Sequence, residues 1–287
     1  MTDNKNSSFK YFKLAALLNG DFEFNDEGGK RHPLAKYNSS ISNVLKYLNK
    51  IIDNNNLALQ TKIYNSNQAN YDVLTDALLN FMNTFMTHVE IMGGIINDFF
   101  PQKKEQDKIR KELNRSDARN YVGVIINHIK HNGGTLNPAS LVNSKNEAIL
   151  GFFVVGYEGG SIGPYTIVHN KGDDLISINY FIRKVTADLF LIDGIMASYI
   201  ENHIQCKNQE HTDEALSSLL EKINNIPYKF FDKEYKRNHL MYSMKNGIAS
   251  LEHLKFKRNM IMEGRISVSY TGDGVTRTLR IPLGVRS

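Results

Sequence analysis

The densest group of chemically capable side chains in the sequence is NHIKHN, residues 127 to 132. It holds two histidines, a lysine and two asparagines within about one and a half turns of a predicted helix. A histidine with an ordinary pKa near neutral pH serves as a general acid or base, and a lysine stabilises phosphate charge. With an arginine near the start of the same helix, these side chains form the candidate catalytic set Arg119, Asn127, His128, Lys130 and His131.

A helical wheel divides this set between different faces of the predicted helix. At about 100° per residue, one polar stripe carries Asn120, Asn127 and His131. His128 falls instead inside the apolar arc, where Ile125 and Ile129 are predicted to face the core. His131 is therefore the expected acid or base, whereas His128 is expected to pack. Lys130 and Arg119 lie about 20° apart on the wheel but three turns apart along the axis. They are expected to offer separate phosphate contacts, or to act together only if a dimer brings Arg119 of one chain toward Lys130 of the other.

Two other interpretations of NHIKHN stay open. His128 and His131 stand at i and i+3, a spacing that chelates metal in some helical bundles, but no Glu-x-x-His pattern accompanies them. No further ligands are indicated by spacing, so the sequence predicts neither a metal nor a cofactor. Lys and His also gather at helix C-termini because they complement the negative end of the dipole. That preference alone accounts for Lys130 and His131 before Gly133–Gly134.

Composition sets the class of protein. The chain has 287 residues, 41% hydrophobic and 23% charged, with a net charge of +5, which suits a globular protein and permits a polyanionic partner. Its only cysteine, Cys206, excludes a disulfide framework and fits a reducing compartment. Polar residues interrupt the most apolar stretches, 91–100 and 189–200, short of the roughly 20 apolar residues of a membrane span. A cytoplasmic protein with no membrane partner is expected.

Hydrophobic periodicity predicts a mainly α (α+β) fold, a bundle of about five to seven helices with two β-hairpins. Helices are expected from Ser39, from residue 71 to 96 as the central core helix, over KKEQDKIRKEL, from Ser116 to Gly133, from Ser177, and from 212 to before Pro227. Hairpins are predicted at GFFVVGYEGGSIGPYTIVH and around TGDG. Residues 136–148 are expected to be irregular, and 228–260 to be basic helix and loop.

The domain organisation follows from these elements. Residues 1–38 form an N-terminal segment, and 39–206 form the helical bundle with the inserted hairpin at 151–169. Residues 207–287 form a helical and basic C-terminal region that ends in a hairpin. QCKNQEH, residues 205 to 211, is the most linker-like stretch between the two.

The helix RNYVGVIINHIKHN, in its predicted bundle, resembles the HEPN superfamily of prokaryotic toxins, CRISPR-linked effectors and antiphage proteins. The resemblance covers roughly residues 39 to 204 and implies a helical bundle, a homodimer and metal-independent RNase chemistry by an Arg and a His of an R-x4-6-H motif. This sequence departs from that motif. Eight residues separate Arg119 from His128, and eleven separate Arg119 from His131. Arg119 and His128 also lie about 180° apart on the wheel.

A second candidate site lies in the C-terminal region, where Lys and Arg outnumber Asp and Glu from residue 228 onward. There the basic residues alternate with aromatic ones, a pattern that suits phosphate contact and base stacking. The predicted nucleic-acid-binding residues are Lys236, Arg237, Lys255, Lys257 and Arg258. A solvated basic face is the competing explanation.

Two functions are therefore expected from the sequence. The first is a cytosolic defence or toxin-type protein whose HEPN-like bundle engages RNA or nucleotides, with RNase activity if it is an enzyme. The alternative is a non-enzymatic scaffold that binds a protein partner or a second copy of itself. No GxxxxGK[ST], GxSxG or HExxH motif is present to indicate another class of enzyme.

Overall fold

The structure is a computed structural model. It describes residues 12–20, 22–24, 31–60, 72–114, 116–142, 148–158, 161–169, 175–202, 214–235, 240–245, 248–253, 264–272 and 275–283. The fold is mainly α with smaller antiparallel sheets, as predicted.

The helices of the described residues are α1 (Lys13–Leu18), α2 (Pro33–Gln60), α3 (Asp72–Phe99), α4 (Lys103–Leu113), α5 (Asp117–Asn132), α6 (Ile178–Ile200), α7 (Glu214–Asn225) and α8 (Asp232–Tyr235). The strands are β1 (Thr135–Val142), β2 (Ala148–Glu158), β3 (Ser161–Pro164), β4 (Ile176–Ser177), β5 (Leu240–Lys245), β6 (Ile248–His253), β7 (Gly264–Gly272) and β8 (Val275–Leu283). Helix α2 begins six residues before the predicted Ser39, at Pro33, a residue favoured in the first turn.

Helix α5 begins and ends where its sequence predicts. The Ser116 side chain accepts a hydrogen bond from the Arg119 backbone N–H at 3.1 Å and so caps the helix. Gly133 takes the left-handed conformation that ends it, with φ of 66°. Ser177 caps α6 in the same way as predicted, by accepting from the Tyr180 N–H.

The central helix is α6, and the prediction that α3 occupies the centre was wrong. Every residue from Ile178 to Phe190 is buried, because α6 contacts α1, α2, α4, α5 and the sheet on different sides. Charged residues interrupt its apolar pattern, which is why the sequence did not indicate a fully buried helix. Helix α3 buries one face only, and its partners include α2, α4 and α5.

Two carboxylates of α6 hold the starts of other helices. Asp188 accepts a hydrogen bond from the Ala118 N–H in the first turn of α5 at 2.6 Å, and it pairs with Lys184 at 3.2 Å. Asp193 accepts from the Leu14 N–H in α1 at 3.2 Å and from the Tyr37 hydroxyl at 2.7 Å. Helices α1 and α5 are thus both anchored on α6.

Strand β2 is the centre of the first sheet. It pairs antiparallel with β1 on one edge, and β3 and β4 pair along the other. The expectation that residues 136–148 are irregular was wrong, since β1 runs through Val142 with Leu136 opposite Val154. The predicted hairpin at 151–169 has its second strand only at 161–164, because residues 166–169 form a turn.

The C-terminal region contains more β-structure than predicted. Strands β5 and β6 pair antiparallel where basic helix and loop were expected. The hairpin around TGDG is confirmed as β7 and β8, and β7 lies beside β1. The predicted linker at 205–211 and Cys206 lie outside the described residues.

Candidate anion-binding groove

In the structure, the predicted catalytic residues lie in separate places and do not form one site. Asn127, Lys130 and His131 are exposed at the last turns of α5, and none of them forms an ion pair within the part of the chain that the structure describes. His128 is partly buried on the side of the sheet. Arg119 is partly buried nine residues earlier, about 13 Å away along the helix axis.

His128 packs, as its place in the apolar arc predicts. Its ring stacks on Tyr165 with centroids 4.6 Å apart and an angle of 28° between the rings. The Asn132 amide is 3.2 Å from its Nδ1 atom. On another side lies Gly134, where an added Cβ would come within 2.4 Å of the imidazole Cδ2. The imidazole therefore packs the end of α5 against the sheet, between Tyr165 and Gly134.

A second histidine, which no motif in the sequence indicates, also joins α5 to the sheet. His169 is fully buried, and its Nε2 accepts a hydrogen bond from the Val154 N–H at 2.8 Å. Its Nδ1 therefore carries the proton and donates to the Tyr121 hydroxyl, 2.9 Å away. The ring is fixed in one neutral tautomer between α5 and β2, which is a structural role.

Arg119 lies in a different place, at a groove between α3, α4 and α5. The groove has a cavity volume of about 490 Å³. Its lining residues are Met86, Val89, Glu90, Gly93, Gly94, Asn97, Arg110, Leu113, Asn114 and Arg119. Two arginines from two helices therefore share one concave surface, with amide side chains beside them.

The floor of the groove is one face of α3. Its lining residues from Met86 to Asn97 follow helical spacing, over about 16 Å of the axis. Gly93 and Gly94 interrupt this face at its middle. A Cβ built on Gly94 would meet no atom within 4 Å, and one on Gly93 would meet only Arg110 Nε at 3.9 Å. The two glycines leave open space where other residues would project side chains.

Arg110 forms the wall that α4 contributes. Its Nη2 donates to Asn97 Oδ1 at 2.6 Å and lies 3.5 Å from the Gly93 carbonyl. Its ion pair with Asp107 is long, at 3.8 Å. The Arg110 guanidinium is therefore held over α3 by an amide, while most of its charge is not neutralised by a close carboxylate.

Arg119 is held in place by its backbone rather than by its guanidinium. Ser116 and Asp188 fix the first turn of α5 around it. Of its five N–H donors, one is used by Asn120 Oδ1 at 3.1 Å, and Nε is buried without a partner among the described residues. The N–H groups of Nη1 and Nη2 that Asn120 does not use are therefore the donors that Arg119 offers to a ligand, since Nε has no accessible surface.

Another arginine uses its terminal nitrogens more fully, although its Nε, like that of Arg119, is buried without a partner among the described residues. Arg183 is fully buried on α6, where it donates to the carbonyl oxygens of Tyr242, Asn224 and Ile226 and to the Tyr228 hydroxyl. It also lies 3.9 Å from the centre of the Tyr228 ring. Burial lowers the Arg183 pKa from its ordinary value. Arg183 supports the chain after α7, whereas Arg119 has donors to spare.

The groove has the chemistry of an anion-binding site. Its lining includes two guanidiniums and one carboxylate, Glu90, and amide groups at Asn97 and Asn114 supply both donors and acceptors. No histidine is among its lining residues, so no general acid or base of that type stands beside the arginines. The arrangement favours binding of an oxyanion such as phosphate.

A serine and a histidine in hydrogen-bonding contact, a combination that occurs in active sites, lie inside the core. Ser40 Oγ lies 2.8 Å from His88 Nδ1, but both residues are buried between α2 and α3. Burial lowers the His88 pKa to about 4, and Ser40 also donates to the Tyr37 carbonyl. With no opening to either side chain, the pair satisfies polar atoms within the core.

The other predicted site falls elsewhere in the chain. The predicted nucleic-acid-binding residues Lys236, Arg237, Lys255, Lys257 and Arg258 all lie outside the described residues. Within the described ranges, no three His, Cys, Asp or Glu side chains come together as a metal site requires. None of the helices described has the length and hydrophobicity to cross a membrane.

Comparison of the chain with protein-family models, with curated proteins and with solved structures found no match in any of the three. The geometry of the groove therefore carries the functional argument.

Sequence reasoning selected Arg119 but missed its neighbours in the groove. Arg110 stands in a helix whose charges predict only an exposed face, and Asn97 and Glu90 stand on α3 without a motif. The available signal was Gly93–Gly94, two adjacent glycines inside a long helix, which indicates either a close neighbour or an open space.

Proposed function

We propose that this protein is a HEPN-like helical-bundle protein of the cytoplasm that engages RNA or a nucleotide through the groove between α3, α4 and α5. The observation that carries the proposal is the pair Arg110 and Arg119, two arginines from different helices on one concave surface. Arginine binds phosphate with several donors in a fixed plane, which suits ligands of this class.

Binding rather than cleavage is the activity this geometry supports. His128 packs on Tyr165, and His131 is exposed on the last turn of α5, so neither histidine stands with Arg119. A defence or toxin-type role follows from the HEPN resemblance and is part of the proposal. In that role the groove recognises the phosphate-bearing ligand.

Binding of labelled tRNA, total RNA and nucleotides to the full-length protein tests the proposal. Arg119→Ala and Arg110→Ala should each weaken binding about tenfold or more, because each removes charge-assisted hydrogen bonds to phosphate. Arg31→Ala is the control, since Arg31 is an exposed arginine outside the groove. Equal binding by all three variants would refute the groove as the site.

The same RNA incubated with and without EDTA tests for metal-independent cleavage. Degradation that survives EDTA and is lost in His131→Ala would restore the RNase interpretation. Intact RNA is the expected result.

A scaffold function is the second candidate, and one observation favours it. Val124 is 47% exposed on α5, one turn from both Tyr121 and His128, and Ile167 beside them on the adjoining turn is 53% exposed. Exposed apolar side chains are common on protein surfaces, but a dimer interface would cover these two. Val124→Lys should then convert a dimer to a monomer in sedimentation. A wild-type protein that is itself a monomer would exclude the homodimer form of this candidate.

A further inference from the structure

We infer that the ligand of the groove is a small phosphorylated molecule of mononucleotide size, carrying one phosphate group, rather than a stretch of RNA chain. This inference rests on the proposed function and narrows its ligand class. It depends on the size of the groove, the types of its lining residues, its charge and its two glycines.

The size and lining of the groove favour a small ligand. Its volume of about 490 Å³ falls within the roughly 300 to 1,000 Å³ of small-molecule sites. Proteins that bind single-stranded RNA stack its bases on aromatic rings, and none of the residues lining the groove is aromatic. Met86, Val89 and Leu113 offer instead an apolar surface for one base or sugar.

The charge of the groove limits how much phosphate it accepts. A nucleic-acid chain is bound by many cations that neutralise successive phosphates. Here two arginines are accompanied by Glu90, an exposed carboxylate without an ion pair among the described residues. Glu90 repels a second or third phosphate and accepts hydrogen bonds from hydroxyl or amino groups. A monophosphate therefore matches the groove better than a triphosphate.

The glycines provide the space for the ligand. Glycine inside a helix is less stable than alanine by about 1 kcal/mol, yet no neighbouring atom requires glycine at position 94. A side chain there would project into the groove without a clash in the free protein. The open floor lets a ligand approach the α3 backbone between Arg110 and Arg119.

Isothermal titration of the full-length protein with the four nucleoside 5′-monophosphates tests the inference. We expect at least one monophosphate to bind, with adenosine or another matching nucleoside about tenfold weaker because it lacks the phosphate. The corresponding triphosphate should also bind more weakly, and Glu90→Gln should reduce that difference. Arg119→Ala should weaken the monophosphate about tenfold or more, and Arg31→Ala should leave it unchanged.

Gly94→Leu supplies a test by occlusion. The leucine should fill the groove and weaken monophosphate binding about tenfold or more without unfolding the protein. Gly194→Ala is the matched control, because Gly194 is a glycine within α6, outside the groove, whose built Cβ also meets nothing within 4 Å. Wild-type affinity in Gly94→Leu would overturn the inference.

The ligands distinguish this inference from the proposed function. A 12-residue RNA without terminal phosphates is titrated in parallel. If this RNA binds through Arg119 while every monophosphate fails to bind, the inference is wrong and the proposed function stands. If neither RNA nor monophosphate binds, both are wrong. If inorganic phosphate binds as tightly as the monophosphates, the groove does not contact the nucleoside and the inference is overturned.

Discussion

The two ends of α5 use polar residues in opposite ways. The last turns hold the densest polar cluster in the sequence, yet His128 is packed against Tyr165, and Asn127, Lys130 and His131 are exposed to solvent. The first turn holds one arginine, whose guanidinium has a single hydrogen bond among the described residues. Arg119 is available to a ligand because Ser116 and Asp188 hold its backbone and leave its side chain uncommitted. The number of polar residues in a segment is therefore a poorer guide to a site than the number of donors left unused.

The largest effect should come from removing the anchor of the first turn. Asp188→Ala takes away the acceptor for the Ala118 N–H and the buried partner of Lys184, so the free energy of unfolding should fall by about 3 to 5 kcal/mol. Ligand binding should weaken as well, since Arg119 follows directly. Urea denaturation measures the first effect and titration the second.

Asp117→Ala is the matched control for Asp188→Ala. Asp117 pairs with the same lysine at 3.4 Å, but its side chain is 63% exposed, so its removal should cost less than about 1 kcal/mol. Equal losses in the two variants would show that the lysine, and not the α5 junction, determines the stability.

At the other end of α5, Gly134→Ala should destabilise by about 2 kcal/mol. Its Cβ would lie 2.4 Å from His128 Cδ2 and 3.3 Å from the Val155 carbonyl oxygen, so the imidazole must move. In a His128→Ala background, Gly134→Ala should lower the free energy of unfolding by much less. A double-mutant cycle measures this difference. Additive losses would contradict the packing described for this end, and ligand binding should be unaffected throughout.

The free energy of unfolding should depend on pH through Asp193, the residue that anchors α1. Burial raises the Asp193 pKa to about 7, so the folded protein keeps a proton that the unfolded chain releases above about pH 4. The free energy of unfolding therefore falls as pH rises from about 4 to 7. Asn cannot ionise, so the stability of the wild type relative to Asp193→Asn should be greater at pH 5 than at pH 8 by about 2 to 3 kcal/mol.

Thermal melts of both proteins at the two pH values check this sign. The lowered pKa of His88 makes stability rise with pH between about 4 and 6.5, but His88 is present in both proteins and cancels in the difference. A difference in melting temperature that stays constant between pH 5 and pH 8 would contradict the prediction.

The smallest effect is expected at His131. The side chain is exposed at the end of α5, so His131→Ala should change stability by less than about 0.5 kcal/mol and leave nucleotide binding unchanged. Loss of ligand binding or of RNA cleavage in this variant would reverse the comparison and make NHIKHN the functional end of the helix.

Local signals in the sequence predicted much of this fold. The caps at Ser116 and Ser177 and the left-handed Gly133 are set by residues beside them in the chain, and their predictions are confirmed. Strand β1 was missed because Asn137 and Pro138 break the usual alternation, and its partner β2 supplies the pairing. The hairpin of β5 and β6 had a usable signal in Asn246–Gly247, the dipeptide between the two strands.

The groove was beyond such reasoning because no short segment contains it. Arg110 and Arg119 belong to separate helices, and the floor between them comes from α3. Only the packing of these helices brings the two arginines to one surface. The wheel did predict that Arg119 and His128 face different ways, and their surroundings in the structure differ accordingly.

The anchoring of α1 on Asp193 also sets a constraint on how the chain folds during synthesis. The Leu14 N–H and its acceptor are 179 residues apart in sequence. At about 5 to 20 residues per second, a ribosome needs about 10 to 40 s to make the intervening chain. Until then Leu14, Leu17 and Leu18 have no α6 to cover them, although all three are buried in the finished protein. These leucines are therefore without their α6 partner during that interval, and a chaperone that binds short apolar segments would find them exposed.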